Sequence, residues 1–167
     1  MRIIGIDPGT AIMGWGVVEH QASTVTLVAC GALTTPAGMP QAERLVILYR
    51  GLCECIDTHK PESGAVEELF FSKNVTTALT VGQARGVALL ALAQAGLSVN
   101  EYKPIVVKQT VAGYGGADKK QMQEMVRMTL RMPSMIKPDD AADAVAIAIC
   151  HAYTMPMTQR IRNAGSV

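Results

Sequence analysis

The chain has 167 residues, enough for one compact domain with a real core and too few for two ordinary domains. Hydrophobic residues make up 49% of it, which excludes wholesale disorder, and no apolar run approaches the length of about 18 residues that a membrane helix needs. The net charge of +1 does not by itself indicate a nucleic-acid-binding protein, so composition predicts only a globular cytoplasmic protein without a membrane partner.

Runs of β-branched and apolar residues between turn residues predict strands, and apolar side chains at helical spacing predict helices. The strands are expected over residues 2–7, 13–20, 24–33, 64–69 and 97–102. The helices are expected over residues 41–59, 74–95, 104–112, 118–132 and 139–153. Three antiparallel strands thus precede strand–helix–strand crossovers, which predicts an α/β fold with a mixed five-stranded sheet flanked by helices.

The ends and the cysteines of the chain add two expectations. Residues 1–154 are expected to form one domain, and residues 155–167, which show no periodicity, a flexible tail. The four cysteines contain no C-x-x-C pair, so we expect them to be reduced and not to bind zinc.

The charges are unevenly distributed near the carboxyl end. Residues 100–137 carry 7 Lys and Arg against 3 Asp and Glu, whereas residues 138–154 carry none against 3. A basic segment beside an acidic one suits a site for both metal cations and a polyanion. A solvated basic helix explains the same charges equally well.

Four carboxylates stand at positions that suit a metal site. Asp7 follows the apolar first strand, Glu67 lies inside the fourth strand, and Asp140 and Asp143 share a face of the last helix. Each has a structural alternative: a turn-capping Asp, a solvated edge strand, or acids favoured by the helix dipole. As a set they suit hard divalent cations, and two such ions can activate a water and stabilise the leaving oxygen of a phosphodiester.

Four motifs in this order resemble the RuvC family of crossover junction endonucleases, over about residues 2–154. They are GIDPG at 5–9, VEELF at 66–70, the basic block of VKQTV at 107–111 with residues 113–119, and DAADA at 140–144. The resemblance implies an RNase H-like fold, a homodimer and paired nicks in opposite strands of a Holliday junction. It also implies a branch-migration motor of the RuvA and RuvB type as a partner.

The resemblance further implies roles for individual residues. The metal ligands are expected to be Asp7, Glu67, Asp140 and Asp143, which would hold two Mg²⁺ ions that Mn²⁺ can replace. Lys119 is expected to act beside them on the phosphate, with no protein nucleophile and a 5′ phosphate as product. The residues expected to contact DNA are Phe70, Phe71, Lys73, Asn74, Arg85, Lys108, Lys119 and Lys120. Which of the two phenylalanine rings reaches the DNA stays open.

Three other functions stay open at this point. GIDPGT also resembles the phosphate loop of actin-like phosphotransferases, although that fold needs two RNase H-like halves and this chain supplies one. A non-catalytic dimer that binds branched DNA would not need the four acids. An RNase H acting on RNA–DNA hybrids differs only through Phe70 and the full motif order.

The expected homodimer has a candidate contact element in the helix over residues 74–95. Small and apolar residues on it would let two helices approach closely, namely Val75, Ala78, Leu79, Gly82 and Gly86. Ordinary packing of these residues on the sheet is the alternative.

Overall fold

The computed structural model describes residues 1–68 and 75–164, apart from the side chains of residues 75–77 and 156–164. The strands are β1 (Arg2–Asp7), β2 (Ile12–Gln21), β3 (Thr24–Thr34), β4 (Ser63–Glu67) and β5 (Ser98–Tyr102). The helices are α1 (Gln41–His59), α2 (Val75–Gln94), α3 (Pro104–Ala112), α4 (Lys119–Thr129) and α5 (Asp139–Ala164). None of these helices is both long and apolar enough to span a membrane.

The five strands form one mixed sheet in the order β3-β2-β1-β4-β5. Strands β1, β2 and β3 are antiparallel, while β4 runs parallel to β1 and β5 parallel to β4. The predicted fold class is therefore confirmed. Because β1 and β4 are adjacent and parallel, their carboxyl ends meet at one edge, where Asp7 and Glu67 end the two strands.

Side-chain alternation along the strands separates two hydrophobic cores. Ile4 and Ile6 face α1 and α2, whereas Ile3 faces α5, α3 and α4 on the other side of the sheet. Counting in steps of two from Ile3 places Asp7 on the α5 side. The same alternation places Glu67 on that side, because Ala65 belongs to the α5 core.

Helix α5 lies unusually close to the sheet because glycines stand beneath it. A Cβ atom on Gly5 would overlap the Ala144 carbonyl, one on Gly14 the Asp140 carbonyl, and one on Gly16 the Val145 side chain. A glycine inside a strand often marks such a close backbone approach. The first turns of α5 are therefore seated directly on β1 and β2.

A buried histidine connects the later part of α5 to the other half of the sheet. His151 is fully buried, with Nε2 2.8 Å from Ser63 Oγ and Nδ1 2.7 Å from Tyr102 Oη. Burial lowers the pKa of His151 to about 4, so the ring is neutral at neutral pH. Both ring nitrogens thus have partners, on β4 and on β5.

Two predicted helix ends were wrong. Helix α4 ends at Thr129 instead of residue 132, because Arg131 adopts a left-handed backbone conformation with φ of 53°. Helix α5 continues to Ala164 instead of ending near residue 153, so most of the segment expected to be a flexible tail is helical. Pro156 removes one backbone hydrogen bond of this helix without ending it.

The other element boundaries lie within one or two residues of the predicted ones. Strand β4 begins at Ser63 and ends at Glu67, against a prediction of 64–69. The division into a nuclease domain over 1–154 and a tail over 155–167 stays a prediction.

A methyl group beneath α5 should be costly. We expect Gly14→Ala to destabilise the protein by about 1–3 kcal/mol, because the new Cβ would force the Asp140 carbonyl and α5 away from the sheet. Urea denaturation measures the change. Gly116→Ala is the matched control, since its Cβ would meet its nearest neighbour, Tyr114, at an ordinary 3.6 Å. Equal urea denaturation midpoints for Gly14→Ala and Gly116→Ala would contradict the close packing of α5 on the sheet.

Candidate active site

Three of the four predicted carboxylates line one open cavity of about 220 Å³ at the carboxyl edge of β1 and β4. Asp7 enters it from β1, Glu67 from β4, and Asp143 from the second turn of α5. Lys108 of α3 and Lys119 of α4 also line this cavity. We call it the carboxylate cavity. The rest of its wall is formed by residues with apolar side chains, namely Pro104, Val107, Met122, Ala146 and Ile147.

The fourth carboxylate faces a neighbouring space. Asp140 lines a second cavity of about 440 Å³, together with Gly9, Thr10 and Arg44. Its charge still reaches the first cavity, since it is one of the groups that raise the pKa of Asp7. The structure therefore brings Asp7, Glu67 and Asp143 together and holds Asp140 beside them.

The carboxylate cavity brings negative charges together at largely buried positions. Burial, followed by the charges of Asp143 and Asp140, raises the pKa of Asp7 to about 6, against the opposing effect of Lys119. Burial, followed by the charges of Asp7 and Asp143, raises the pKa of Glu67 to about 7. The nearby Lys108 opposes that second shift. Raised pKa values with these causes mark a site that lacks positive charge.

Lys119 supplies part of that positive charge. Its Nζ lies 3.3 Å from Asp143 Oδ2 and 3.7 Å from Asp139 Oδ2. The pKa of Asp143 is nevertheless raised, because burial outweighs the effect of Lys119. Asp139 has a closer partner in Lys137, whose Nζ lies 3.0 Å from Asp139 Oδ1, so this acid is engaged outside the cavity.

The donor set fits a hard divalent cation. Carboxylate oxygens are the ligands that Mg²⁺ and Mn²⁺ prefer, and a cation would offset both the burial and the mutual repulsion that raise these pKa values. Among the residues that the structure describes, no group of three or more His, Cys, Asp or Glu is already close enough to hold a metal ion. The carboxylates would therefore have to move toward one another around a cation.

The residues expected to contact DNA have different surroundings. Lys108 and Lys119 line the carboxylate cavity. Lys120 lines a separate cavity beside Tyr114, and Arg85 forms an ion pair with Glu101. The remaining four lie outside the described residues, namely Phe70, Phe71, Lys73 and Asn74.

Sequence reasoning missed the residues that position the site. Gly14 and Gly16 hold the start of α5 against the sheet, and their signal was two glycines at alternate positions of one predicted strand. Arg44, which lines the second cavity, was not singled out either. A single arginine on an amphipathic helix gives no signal that separates it from a solvated one.

Comparisons with known proteins agree with this geometry. A family model described as "Crossover junction endodeoxyribonuclease RuvC" matches residues 3–151. The chain belongs to the RuvC family. A crossover junction endodeoxyribonuclease RuvC of Chloroflexus aggregans is 71% identical over 160 residues, covering 96% of this chain and 98% of that protein. The corresponding protein of a Roseiflexus species is 66% identical over 160 residues, covering 96% and 95%.

Solved structures give the same answer. The structure of Thermus thermophilus RuvC in complex with a Holliday junction substrate matches with a TM-score of 0.89 and 36% identity. The match covers 95% of this chain and 96% of that one. The resemblance drawn from the four motifs is thereby confirmed, as are the RNase H-like fold and the assignment as an endodeoxyribonuclease. Family membership decides against the actin-like phosphotransferase.

The buried charges predict a pH-dependent cost in stability. In the metal-free protein the pKa of Asp7 is about 6, against an ordinary 3.8, so the folded state binds the proton more tightly than the unfolded state. The contribution of Asp7 to stability should therefore rise as the pH falls from about 7 to 4. Asp7→Asn removes this effect and should stabilise the metal-free protein at pH 8 by roughly 1–3 kcal/mol, with a smaller gain near pH 4.

Thermal denaturation in EDTA at several pH values measures this. Asp57→Asn is the control, because Asp57 is an exposed acid of α1 that pairs with Lys60 at 3.1 Å. Adding Mg²⁺ should stabilise the wild type more than Asp7→Asn. An Asp7→Asn protein that is less stable than wild type in EDTA at pH 8 would contradict a cost of burying the Asp7 charge beside other carboxylates.

Proposed function

We propose that this chain resolves Holliday junctions by paired, metal-dependent hydrolysis of phosphodiesters at the carboxylate cavity. The observation that supports it most is the meeting of Asp7, Glu67 and Asp143 beside Lys108 and Lys119 in one open cavity. A relative 36% identical to this chain has been solved in complex with a Holliday junction substrate.

The carboxylates would be the metal ligands. Asp7, Glu67 and Asp143 line the carboxylate cavity and Asp140 stands at its side, so these four would hold two Mg²⁺ ions, with Mn²⁺ as a substitute. Bound divalent cations would supply Lewis-acid activation of a water and stabilise the leaving 3′ oxygen, so that a 5′ phosphate remains. No side chain of the chain is needed as a nucleophile.

The two lysines would orient the phosphate. Lys108 and Lys119 line the cavity from α3 and α4. Lys119 is 56% exposed at its side chain, so it can move from Asp143 toward a phosphate oxygen. Such contacts fix the strand without reading its sequence.

Loss of one ligand should affect cutting far more than binding. We expect Asp7→Asn to lower single-turnover cleavage of a labelled four-way junction at least about 100-fold, because loss of even an outer partner of a metal ligand typically costs 10- to 100-fold. Junction affinity should change little. Asp57→Asn should cut like wild type.

Parallel reactions with linear duplex and RNA–DNA hybrid, with Mg²⁺ or EDTA, separate the alternatives. Symmetric Mg²⁺-dependent nicks in the junction alone would support the proposal. Binding without cutting by the wild type would favour a branched-DNA-binding dimer instead, and cutting of the hybrid would favour an RNase H. Normal cutting by Asp7→Asn would end the proposed role of the carboxylates.

Paired nicks require two active sites, and α2 offers a surface for a second copy. Leu79 is 65% exposed and Leu90 is 51% exposed, although both are large and apolar. Gly86 lies between them, and a Cβ atom there would meet nothing within 4 Å. The spacing of these three residues places them on one helix face. Buried alanines on the opposite face, Ala84, Ala88 and Ala91, pack against the rest of the protein.

The α2 face should therefore control the oligomeric state. We expect Leu79→Glu to convert a dimer into a monomer at micromolar concentration, because two buried like charges would face each other across a twofold axis. Sedimentation equilibrium measures this, and the nicks should lose their pairing. Val46→Glu is the control, since Val46 is 46% exposed on α1. A monomeric wild type would contradict the dimer.

Several expectations have no structural test within the described residues. Stacking of Phe70 or Phe71 on bases, DNA contacts of Lys73, Asn74 and Arg85, and the contact surface for a branch-migration motor stay predictions. So does the cytoplasmic location.

A further inference from the structure

The second cavity adjoins the carboxylate cavity. Asp7 and Asp143 face the carboxylate cavity, whereas Gly9 and Asp140, two and three residues away along the chain, face the second one. The two spaces are thus neighbours along the β1–β2 turn and the first turn of α5. A strand whose scissile phosphate lies at Asp7 could therefore continue over the second cavity.

Arg44 is the only cation among the described residues that line this second cavity. It is half-buried on α1, and its Nε donates a hydrogen bond of 2.7 Å to Thr35 Oγ1. Among the described residues this is the only hydrogen bond or ion pair of its side chain. The two terminal nitrogens of the guanidinium are therefore available to a ligand in the cavity.

A chain of hydrogen bonds fixes the arginine in place. Thr35 is buried, and its hydroxyl donates to the Thr10 carbonyl at 2.7 Å. The hydroxyl of Thr10, also buried, donates to the Thr80 carbonyl at 2.8 Å. Arg44 is thereby linked to the turn that follows Asp7 and to α2. A guanidinium held at Nε presents its two outer nitrogens as a fork that matches two phosphate oxygens.

We propose that this second cavity binds a backbone phosphate next to the scissile one, through bidentate contact with Arg44. A phosphate near Asp140 would be repelled without a compensating cation, and Arg44 provides that charge on the same cavity wall. The assignment rests on the proposed cleavage of DNA at the carboxylate cavity. It adds to that proposal a contact on the Asp140 side of the cut, where sequence reasoning expected none.

A neutral-phosphate scan tests this contact. Four-way junctions carrying one methylphosphonate at each position around the cut site are bound to the full-length protein with Ca²⁺ in place of Mg²⁺. In the wild type, one position beside the scissile phosphate should weaken binding roughly tenfold. In Arg44→Gln, binding to the unmodified junction should be weaker by a similar factor, and the same methylphosphonate should have no further effect.

Three variants make the result specific. Arg50→Gln removes the same charge from an exposed site on α1, and its binding should still be weakened by the methylphosphonate at that position. Arg44→Lys keeps the charge without the fork and should bind with intermediate affinity. Arg44→Gln should also lower the slope of log affinity against log salt by about one phosphate contact. Thermal denaturation checks that each variant is folded.

The assignment would be overturned if the losses of affinity caused by Arg44→Gln and by each methylphosphonate simply added. It would also be overturned if Arg50→Gln lost as much affinity as Arg44→Gln. If Arg44→Gln does not fold, Arg44→Lys takes its place. The contact would be supported if the methylphosphonate no longer weakens binding by Arg44→Lys. The bidentate contact would be overturned if Arg44→Lys binds the unmodified junction like the wild type and is weakened as much by the methylphosphonate. Cleavage with Mg²⁺ is scored separately. If the wild type cuts no junction, the proposed function is wrong. If it cuts normally but Arg44→Gln leaves the effect of every methylphosphonate unchanged, only the Arg44 subsite is wrong.

Discussion

The close packing of α5 on three glycines is the constraint on which the candidate active site depends. Gly14 pairs with Asp7 in the sheet and also lies directly beneath the Asp140 carbonyl. One backbone contact therefore fixes the distance between the end of β1 and the first turn of α5. His151 anchors the same helix two turns beyond Asp143, through hydrogen bonds to β4 and β5. Each carboxylate is thus carried on a regular element whose position is set by packing.

The same packing lowers the stability of the folded protein, because it buries acidic side chains close to one another. Asp7 and Glu67 are largely buried near Asp143, and their raised pKa values express the free-energy cost of burying these charges and holding them close together. A core of small side chains on α5, Ala141, Ala144 and Ala148, offsets this cost through close contact with the sheet. His151 adds a second, opposite pH dependence. Its pKa is lowered to about 4, so stability from this group falls as the pH drops below about 6.5.

The sequence predicted the sheet and the carboxylate positions well because both rest on local patterns. An apolar strand ending in Asp7 and an acidic first turn on α5 are visible in short windows, and the helix over 41–59 was predicted to the residue. Two kinds of feature were not visible. The left-handed backbone at Arg131 and the continuation of α5 through Pro156 depend on tertiary context. Asp143 and Asp140 line different cavities, and this arrangement depends on how closely the backbone of α5 approaches the sheet.

The near-neutral net charge is compatible with DNA binding once the internal ion pairs are considered. Arg85 pairs with Glu101, Arg127 with Glu124, Lys60 with Asp57, and Lys137 with Asp139. Each of these cations is compensated within the protein, so none adds much to a long-range attraction for phosphate. Lys108, Lys119 and Arg44 line the two cavities beside the carboxylates, and Lys119 also pairs with Asp143. Affinity would then come from a few cations at fixed positions, and its salt dependence should be shallower than that of a protein with a broad basic face.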